Sequence, residues 1–174
     1  EFTMAVTLLE GVRPGLADAD NYADIASILA DIDRMFDSDS ARALAALVKE
    51  TAQNMTVNAR KAYVTLQYSA QPATVQGSKD LLAELATNLC DNAIRYNRPG
   101  GHVELSCGTN ADGCPYFCVE DNGIGIPESQ FDAIFEPFQL ADGNTLSRKY
   151  DRLGLSLSIV RKILQMHGGD ITVE

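Results

Sequence analysis

Residues Lys79–Tyr96 constrain this chain more than any other stretch. At ~100° per residue in a helix, Leu82, Leu85, Ala86, Leu89, Ala93 and Tyr96 fall on one side, and Glu84, Asn88, Asp91, Asn92 and Arg95 on the other. The apolar side has to be buried against a second layer of structure. The polar strip differs from an ordinary solvated face, which would favour Lys and Glu. Asparagine is a poor helix former that gains little in a helix interior unless its side chain has a partner. Ser78 stands at the N-cap position. The segment therefore predicts a helix with its back on a core and a front that is either a solvated face or one turned towards a ligand.

The neighbouring segments say what that helix packs on. Tyr63–Tyr68 alternates like a strand, and Ala73–Gln76 is a weaker second one. His102–Thr109 and Tyr116–Asp121 alternate around Asn110-Ala111-Asp112-Gly113, a hairpin signal with glycine supplying positive φ. Helical spacing recurs over Ala41–Ala59, with Leu44, Leu47, Val48 and Met55 on one side, and over Leu155–His167, stopped by Gly168-Gly169. A short helix is expected with Pro127 at its first position. Asp170–Glu174 begins a strand, and the sheet is expected to need one more strand beyond it. Upstream, Tyr22, Ile25, Ile28, Leu29, Ile32, Met35 and Phe36 give Asp18–Phe36 the pattern of an amphipathic helix. Glu1-Phe2-Thr3 ahead of Met4 reads as a cloning remnant outside the fold, and residues 4–17, broken by Pro14 and Gly15, stay unassigned. The order predicts an α+β fold: a two-layer α/β sandwich whose mixed sheet is covered on one face by helices, with an N-terminal helical arm.

Composition narrows the function. With 24 acidic against 14 basic side chains, the formal net charge is −10, which argues against broad, sequence-independent nucleic-acid binding. No apolar run approaches the ~18 residues of a membrane span, and no secretory leader is visible, so a cytoplasmic location is expected. The four cysteines are Cys90, Cys107, Cys114 and Cys118. Cys114 and Cys118 have no histidine nearby to complete a zinc site. Cys107 and Cys118 could face each other across the hairpin, but reduced thiols are the better reading for a domain of this size.

Two further segments are compatible with a ligand, although alone the first also reads as a tight strand-to-helix turn and the second as a simple helix start. Asp121-Asn122-Gly123-Ile124-Gly125-Ile126-Pro127 puts a carboxylate at a strand end, followed by glycines that let backbone approach a ligand. Such a carboxylate can accept from the exocyclic amino group of a purine. Gly154-Leu155-Ser156-Leu157-Ser158 opens a helix whose first N–H groups lack internal partners, an arrangement that attracts phosphate.

Together these segments resemble the four boxes of sensor histidine kinases. Asn88-Leu-Cys-Asp-Asn92-Ala-Ile-Arg95-Tyr96 looks like the N box and Asp121–Pro127 like the G1 box. Ile134-Phe135-Glu136-Pro137-Phe138 looks like the F box, and Gly154–Val160, ending at His167-Gly168-Gly169, like the G2 box. All four occur in the family's order over residues 78–174. The resemblance implies the Bergerat ATP-binding fold of gyrase-type, chaperone and mismatch-repair ATPases, with ATP and Mg²⁺ as cofactors. It implies that Asn92, assisted by Asn88, coordinates Mg²⁺ bridging the phosphates, and that Arg95 occupies the usual lysine position near them. Asn88, Asn92 and Arg95 are thus the expected catalytic set. Tyr96 would pack on adenine, Asp121 would accept from its amino group, and Gly123, Gly125 and Ile126 would shape that pocket. Phe135 and Phe138 would anchor a lid over Gln139–Arg152, and Gly154, Leu155, Ser156 and Leu157 would hold the triphosphate.

The resemblance also bears on the reaction. ATPase members carry a glutamate base where this chain has Asn88, and a carboxamide takes no proton near neutral pH. Phosphoryl transfer to an external acceptor is therefore expected over hydrolysis, and Glu84, one turn earlier, falls outside the base's position. Residues 18–39 resemble part of the second helix of the kinase dimerisation domain, leaving 40–174 as the ATP-binding domain. Neither His102 nor His167 fits the phosphoacceptor, so the fragment is expected not to phosphorylate itself. The implied partners are ATP, the histidine-bearing dimerisation domain and a response regulator receiver domain, in a homodimeric parent that can be membrane-anchored. One departure stands out: where the family commonly reads G-x-G-L-G-L, this chain has Arg152-Leu153-Gly154-Leu155-Ser156-Leu157. The alternatives are a degenerate nucleotide- or partner-binding module, or an ATPase or protein-serine kinase of the same superfamily.

Overall fold

The computed structural model describes residues 2–7, 41–131, 133–137 and 155–174. The arm expected over Asp18–Phe36, the stretch Gln139–Arg152, Phe138 and Gly154 lie outside the described residues. In chain order the elements are β1 (Phe2–Thr7), β2 (Ala41–Ala43), α1 (Leu44–Lys61), β3 (Thr65–Ala70), β4 (Thr74–Gln76), α2 (Lys79–Arg95), β5 (His102–Thr109), β6 (Pro115–Asp121), α3 (Ser156–Met166) and β7 (Asp170–Val173). Between β6 and α3 lie two short 3-10 turns, Glu128–Gln130 and Ala133–Phe135.

Five strands form one sheet in the order β3-β5-β6-β1-β7. β3 is parallel to β5 and the other neighbours are antiparallel, so the sheet is mixed as expected. Its two faces follow from strand alternation. Val103, Leu105 and Cys107 of β5 and Phe117 and Val119 of β6 are buried, whereas Glu104, Ser106, Cys118 and Glu120 alternate onto the other face. The helices cover the buried face. α1 contributes Leu44, Val48, Thr51, Ala52, Met55 and Ala59 at three- and four-residue steps, and α3 contributes Val160, Ile163 and Leu164. α2 lies between them with Leu82, Leu85, Ala86, Leu89, Cys90 and Ala93 buried.

Several expectations are corrected. Phe2–Thr7, set aside as remnant and unassigned lead, is a strand of the main sheet. It pairs with β6 from Phe2↔Asp121 to Thr7↔Tyr116, and with β7 from Met4↔Val173 to Thr7↔Asp170. Excluding the first three residues had cut a six-residue alternation of Phe, Met and Val with Thr and Ala down to a piece too short to classify. The strand expected beyond Glu174 therefore has a counterpart at the other end of the sequence, beside β7. Ala41–Ala43 is strand rather than helix, pairing with β4 in a small second sheet, and α1 begins at Leu44. Tyr63 is not strand: it takes φ 59°, is 77% exposed, and its carbonyl accepts from Gly100 N–H. The short helix behind Pro127 is a 3-10 turn.

The hairpin register opposes Ser106 to Cys118 and Cys107 to Phe117. Cys107 and Cys118 thus lie on opposite faces and cannot pair with each other. Burial pushes the Cys90 thiol up to about 12, with the Asp91 charge adding to it. At the end of α3, His167 is buried with Nδ1 against the Ile163 carbonyl at 2.7 Å, and burial holds its pKa below the ordinary value.

β1 is the partner through which β7 joins the sheet, and it covers the edge of β6. Deleting residues 1–7 should leave both backbones unpaired. The expected outcome is a thermal midpoint lowered by about 10 °C or more, at roughly 2–4 °C per kcal/mol for a chain of this size. Circular dichroism melting of the shortened chain checks it.

Candidate functional site

The front of α2 carries the strip that the helical spacing predicts. Ser78 caps the helix, its hydroxyl accepting from Leu81 N–H at 3.5 Å. Its polar side chains engage one another along the axis. Asn88 Nδ2 donates to Glu84 Oε1 at 3.5 Å, and Arg95 Nη2 pairs with Asp91 Oδ2 at 2.8 Å. The Asp91–Arg95 pair is largely shielded, with side chains 16% and 19% exposed. Asn92 reaches across to another element: its Oδ1 accepts from Ser156 Oγ at 3.3 Å, 64 residues away in sequence. That contact brings the strip against the first turn of α3. Leu155, at the N-cap of α3, offers no side-chain cap, so the first N–H groups of this helix keep their anion-attracting character. Ser158 turns its hydroxyl back to the Leu155 carbonyl at 2.8 Å.

At the other end of α2, Tyr96 forms the C-cap and meets the loop after β6. Its carbonyl accepts from Ile124 N–H at 3.1 Å. Asp121 ends β6, and its Oδ1 accepts from Gly123 N–H at 2.8 Å. Burial raises the Asp121 carboxyl above its ordinary range, opposed by the Gly123 hydrogen bond and the proximity of His102. Gly123 is required by space: a Cβ there would sit 2.5 Å from the Tyr96 carbonyl oxygen and 2.8 Å from Asp121 Oδ1. Gly125 is required by conformation, with φ 69°. Ile126 follows, half-buried.

A polar joint beneath this loop escaped the sequence reading. Asn97 Nδ2 donates to the His102 carbonyl at 3.0 Å, and Asn122 Oδ1 accepts from His102 N–H at 2.8 Å. Arg98 N–H donates to Asn97 Oδ1 at 2.9 Å. Gly101 lies so close to Asn97 and Asn122 that a side chain would displace both carboxamides. The available signal was an asparagine just past a helix end and another in a turn, positions where short amides bind backbone.

Phe135 is buried in the second 3-10 turn, with the Arg161 guanidinium 5.8 Å above its ring and Arg161 Nη1 3.6 Å from Glu136 Oε1. Arg161, on α3, is another residue that the sequence reading did not single out. The structure thus brings Asn92 and Ser156 into contact and sets Tyr96, Asp121, Gly123 and Gly125 together at one end. It places Phe135 on α3 rather than on either group.

Comparison with known proteins identifies the family and the fold. The family described as "Histidine kinase-, DNA gyrase B-, and HSP90-like ATPase" matches residues 77–174, more than half of the chain, and the chain belongs to it. A domain of this family binds ATP. Sensor histidine kinase WalK of Bacillus subtilis is 36% identical over 98 residues, covering 56% of this chain and 16% of that protein. Sensor protein BasS of Salmonella typhimurium is 30% identical over 191 residues, covering 97% of this chain and 52% of that protein. The chain thus spans about half or less of the length of these relatives. Among solved structures, the catalytic domain of histidine kinase ThkA superposes with a TM-score of 0.63 at 22% identity, covering 77% of this chain and 91% of that one. The mycobacterial sensor histidine kinase MprB gives 0.61 at 23%, covering 74% and 80%. The fold is the Bergerat two-layer sandwich. No helix among the described residues is long and apolar enough to cross a membrane.

Gly123→Ala should force the Tyr96 carbonyl away from the loop, at a cost of about 1–3 kcal/mol, the usual range for overpacking. A lowered denaturation midpoint with an unchanged m-value would show it.

Proposed function

We propose that this chain is the ATP-binding catalytic region of a two-component sensor histidine kinase, a transferase that places the γ-phosphate of ATP for transfer to a histidine on a dimerisation domain. One observation carries the reading: a carboxylate, Asp121, is kept in a desolvated position at a strand end, bonded to the N–H of a glycine that admits no side chain. Such a group suits a purine amino donor. Asp121 accepts from the adenine amino group, Tyr96 and Ile126 pack on the ring, and Gly123 and Gly125 leave room for it. The start of α3, with Leu155, Ser156 and Leu157, faces the phosphates.

The metal in this reading is Mg²⁺. Carboxamide oxygens are hard ligands of the kind it accepts, and Mg²⁺ usually keeps waters and substrate phosphates in its shell. In this reading the ion is shared between Asn92, Asn88 and the nucleotide. Bound there, the ion would neutralise phosphate charge. Arg95 belongs to the same end of α2, tied back to Asp91.

In the transfer the γ-phosphorus gains a bond to an imidazole nitrogen, its bond to the β,γ-bridging oxygen breaks, and ADP leaves. Asn88 at the base position of hydrolytic relatives cannot take a proton from water. The partners are the histidine-bearing dimerisation domain of the parent kinase, a homodimer, and a response regulator receiver domain, with no role for nucleic acid. The domain works in the cytoplasm, in a parent that can be anchored in the cell membrane.

Calorimetric titration with a non-hydrolysable ATP analogue, with and without Mg²⁺, is the test. Magnesium-assisted binding supports the reading, and its absence in the folded protein overturns the kinase assignment. Asp121→Asn should abolish measurable binding while preserving or raising thermal stability. The sign follows from the raised carboxyl: ionisation of Asp121 opposes folding, and the penalty appears as pH rises through its folded-state value. For the same reason, nucleotide affinity should fall on acidification sooner than an ordinary carboxylate would allow, and an affinity flat down to pH 4 would remove Asp121 from the adenine site. Asn92→Ala should lose the magnesium effect. Transfer of labelled phosphate to a separately supplied dimerisation domain separates the kinase from a binding module, and steady hydrolysis without an acceptor would mark an ATPase.

A further inference from the structure

Ser156 reads on the sequence as the loss of a glycine from a phosphate-binding turn. In the structure its hydroxyl supplies a contact that glycine cannot: Ser156 Oγ donates to Asn92 Oδ1 at 3.3 Å. The other hydroxyl of that turn, Ser158, is committed to its own helix through the Leu155 carbonyl. Ser156 is therefore the side chain that ties α3 to the polar strip of α2. Both residues are half-buried, so the bond is partly shielded from competing water.

The atom it holds matters. A carboxamide presents an oxygen and an NH₂ group of nearly equal size, and only the oxygen can ligate a cation or accept a hydrogen bond. A rotation of Asn92 about its last bond would exchange the two. We propose that Ser156 is a positioning residue for metal-assisted nucleotide binding: by donating to Asn92 Oδ1 it keeps the carboxamide oxygen, rather than the amide nitrogen, turned towards the first turn of α3. A carbonyl oxygen has two lone pairs, and the serine occupies one, leaving the other for the ion. Outer contacts that orient a metal ligand in this way commonly matter as much as a ligand itself. This inference rests on the reading of Asn92 as a magnesium ligand.

The test is the magnesium enhancement of ATP-analogue binding in the wild type, Ser156→Ala and Ser156→Thr, each also in an Asn92→Asp background. Ser156→Ala should reduce the enhancement, taken as the ratio of affinities with and without magnesium, by about 10-fold, the lower end of the range for such outer contacts. Ser156→Thr, which keeps the hydroxyl, should restore it. In the Asn92→Asp background both terminal atoms are oxygens and orientation no longer matters, so Ser156→Ala should have no further effect, a coupling that a double-mutant cycle measures. If the wild type responds to magnesium and Ser156→Ala responds equally, the positioning role is overturned while the Asn92 reading stands. If Ser156→Ala weakens binding by the same factor with and without magnesium, the hydroxyl acts on the phosphates alone and the proposal also fails. A wild type without magnesium enhancement overturns the Asn92 reading itself. Melting curves of each variant confirm that the comparison is between folded proteins.

Discussion

Leu82, Leu85, Ala86, Leu89 and Cys90 of α2 are each no more than 2% exposed, and the placement of everything polar on that helix follows from their burial. Three of them are leucines, each worth about 1.5–3 kcal/mol when withdrawn from water. With that face fixed against β5 and β6, the helix has no freedom to rotate about its axis. Asn88 and Asn92 are then presented on the opposite side by the 3.6-residue period. The same packing brings α2 alongside α3, whose own buried residues Val160, Ile163 and Leu164 set the distance across which Ser156 meets Asn92. The front of the helix is exact because its back is crowded.

The far end of α2 is fixed by polar rather than apolar means. The Tyr96 carbonyl takes the Ile124 N–H, and Asn97 and Asn122 grip the two sides of His102 backbone. Helix end, strand start and the loop after β6 are thereby bound into one joint. Gly101 and Gly123 are the two points where chains approach too closely for a side chain. Asp121 sits where this joint meets the strand, so its position is set by backbone on three elements and is independent of any mobile side chain.

Most of this was legible because it depended on local periodicity. The two faces of α2, the β5–β6 hairpin with Gly113 at φ 84°, and the α3 helix stopped at Gly168 with φ 67° each carry a signal within a few residues. What was not legible depended on partners distant in sequence. β1 is six residues long and gains its place only from β6 and β7, more than a hundred residues later. Ala41–Ala43 continues smoothly into a helical pattern, and only β4 draws it into a strand. The exclusion of Cys107 from Cys118 turned on a register that shifts faces with a single residue. In the site, the pattern gave Asn92 and Ser156 separately, but the hydrogen bond between them belongs to the packing of two helices.

The charges on the site argue for positioning rather than proton chemistry. Of the carboxylates on the α2 strip, Asp91 is held by Arg95, and Glu84 is exposed and shared with Asn88. The one site carboxyl that burial raises is Asp121, which ends β6 at the loop that meets the C-cap of α2, where its Oδ1 already takes the Gly123 N–H. In the proposed reading that acid recognises the adenine base, and the phosphates meet carboxamides, a hydroxyl and a helix N-terminus, none of which exchanges a proton near neutral pH. Under the proposed function such a set would orient and neutralise a phosphoryl group without activating water, and an acceptor brought by another domain is its natural complement.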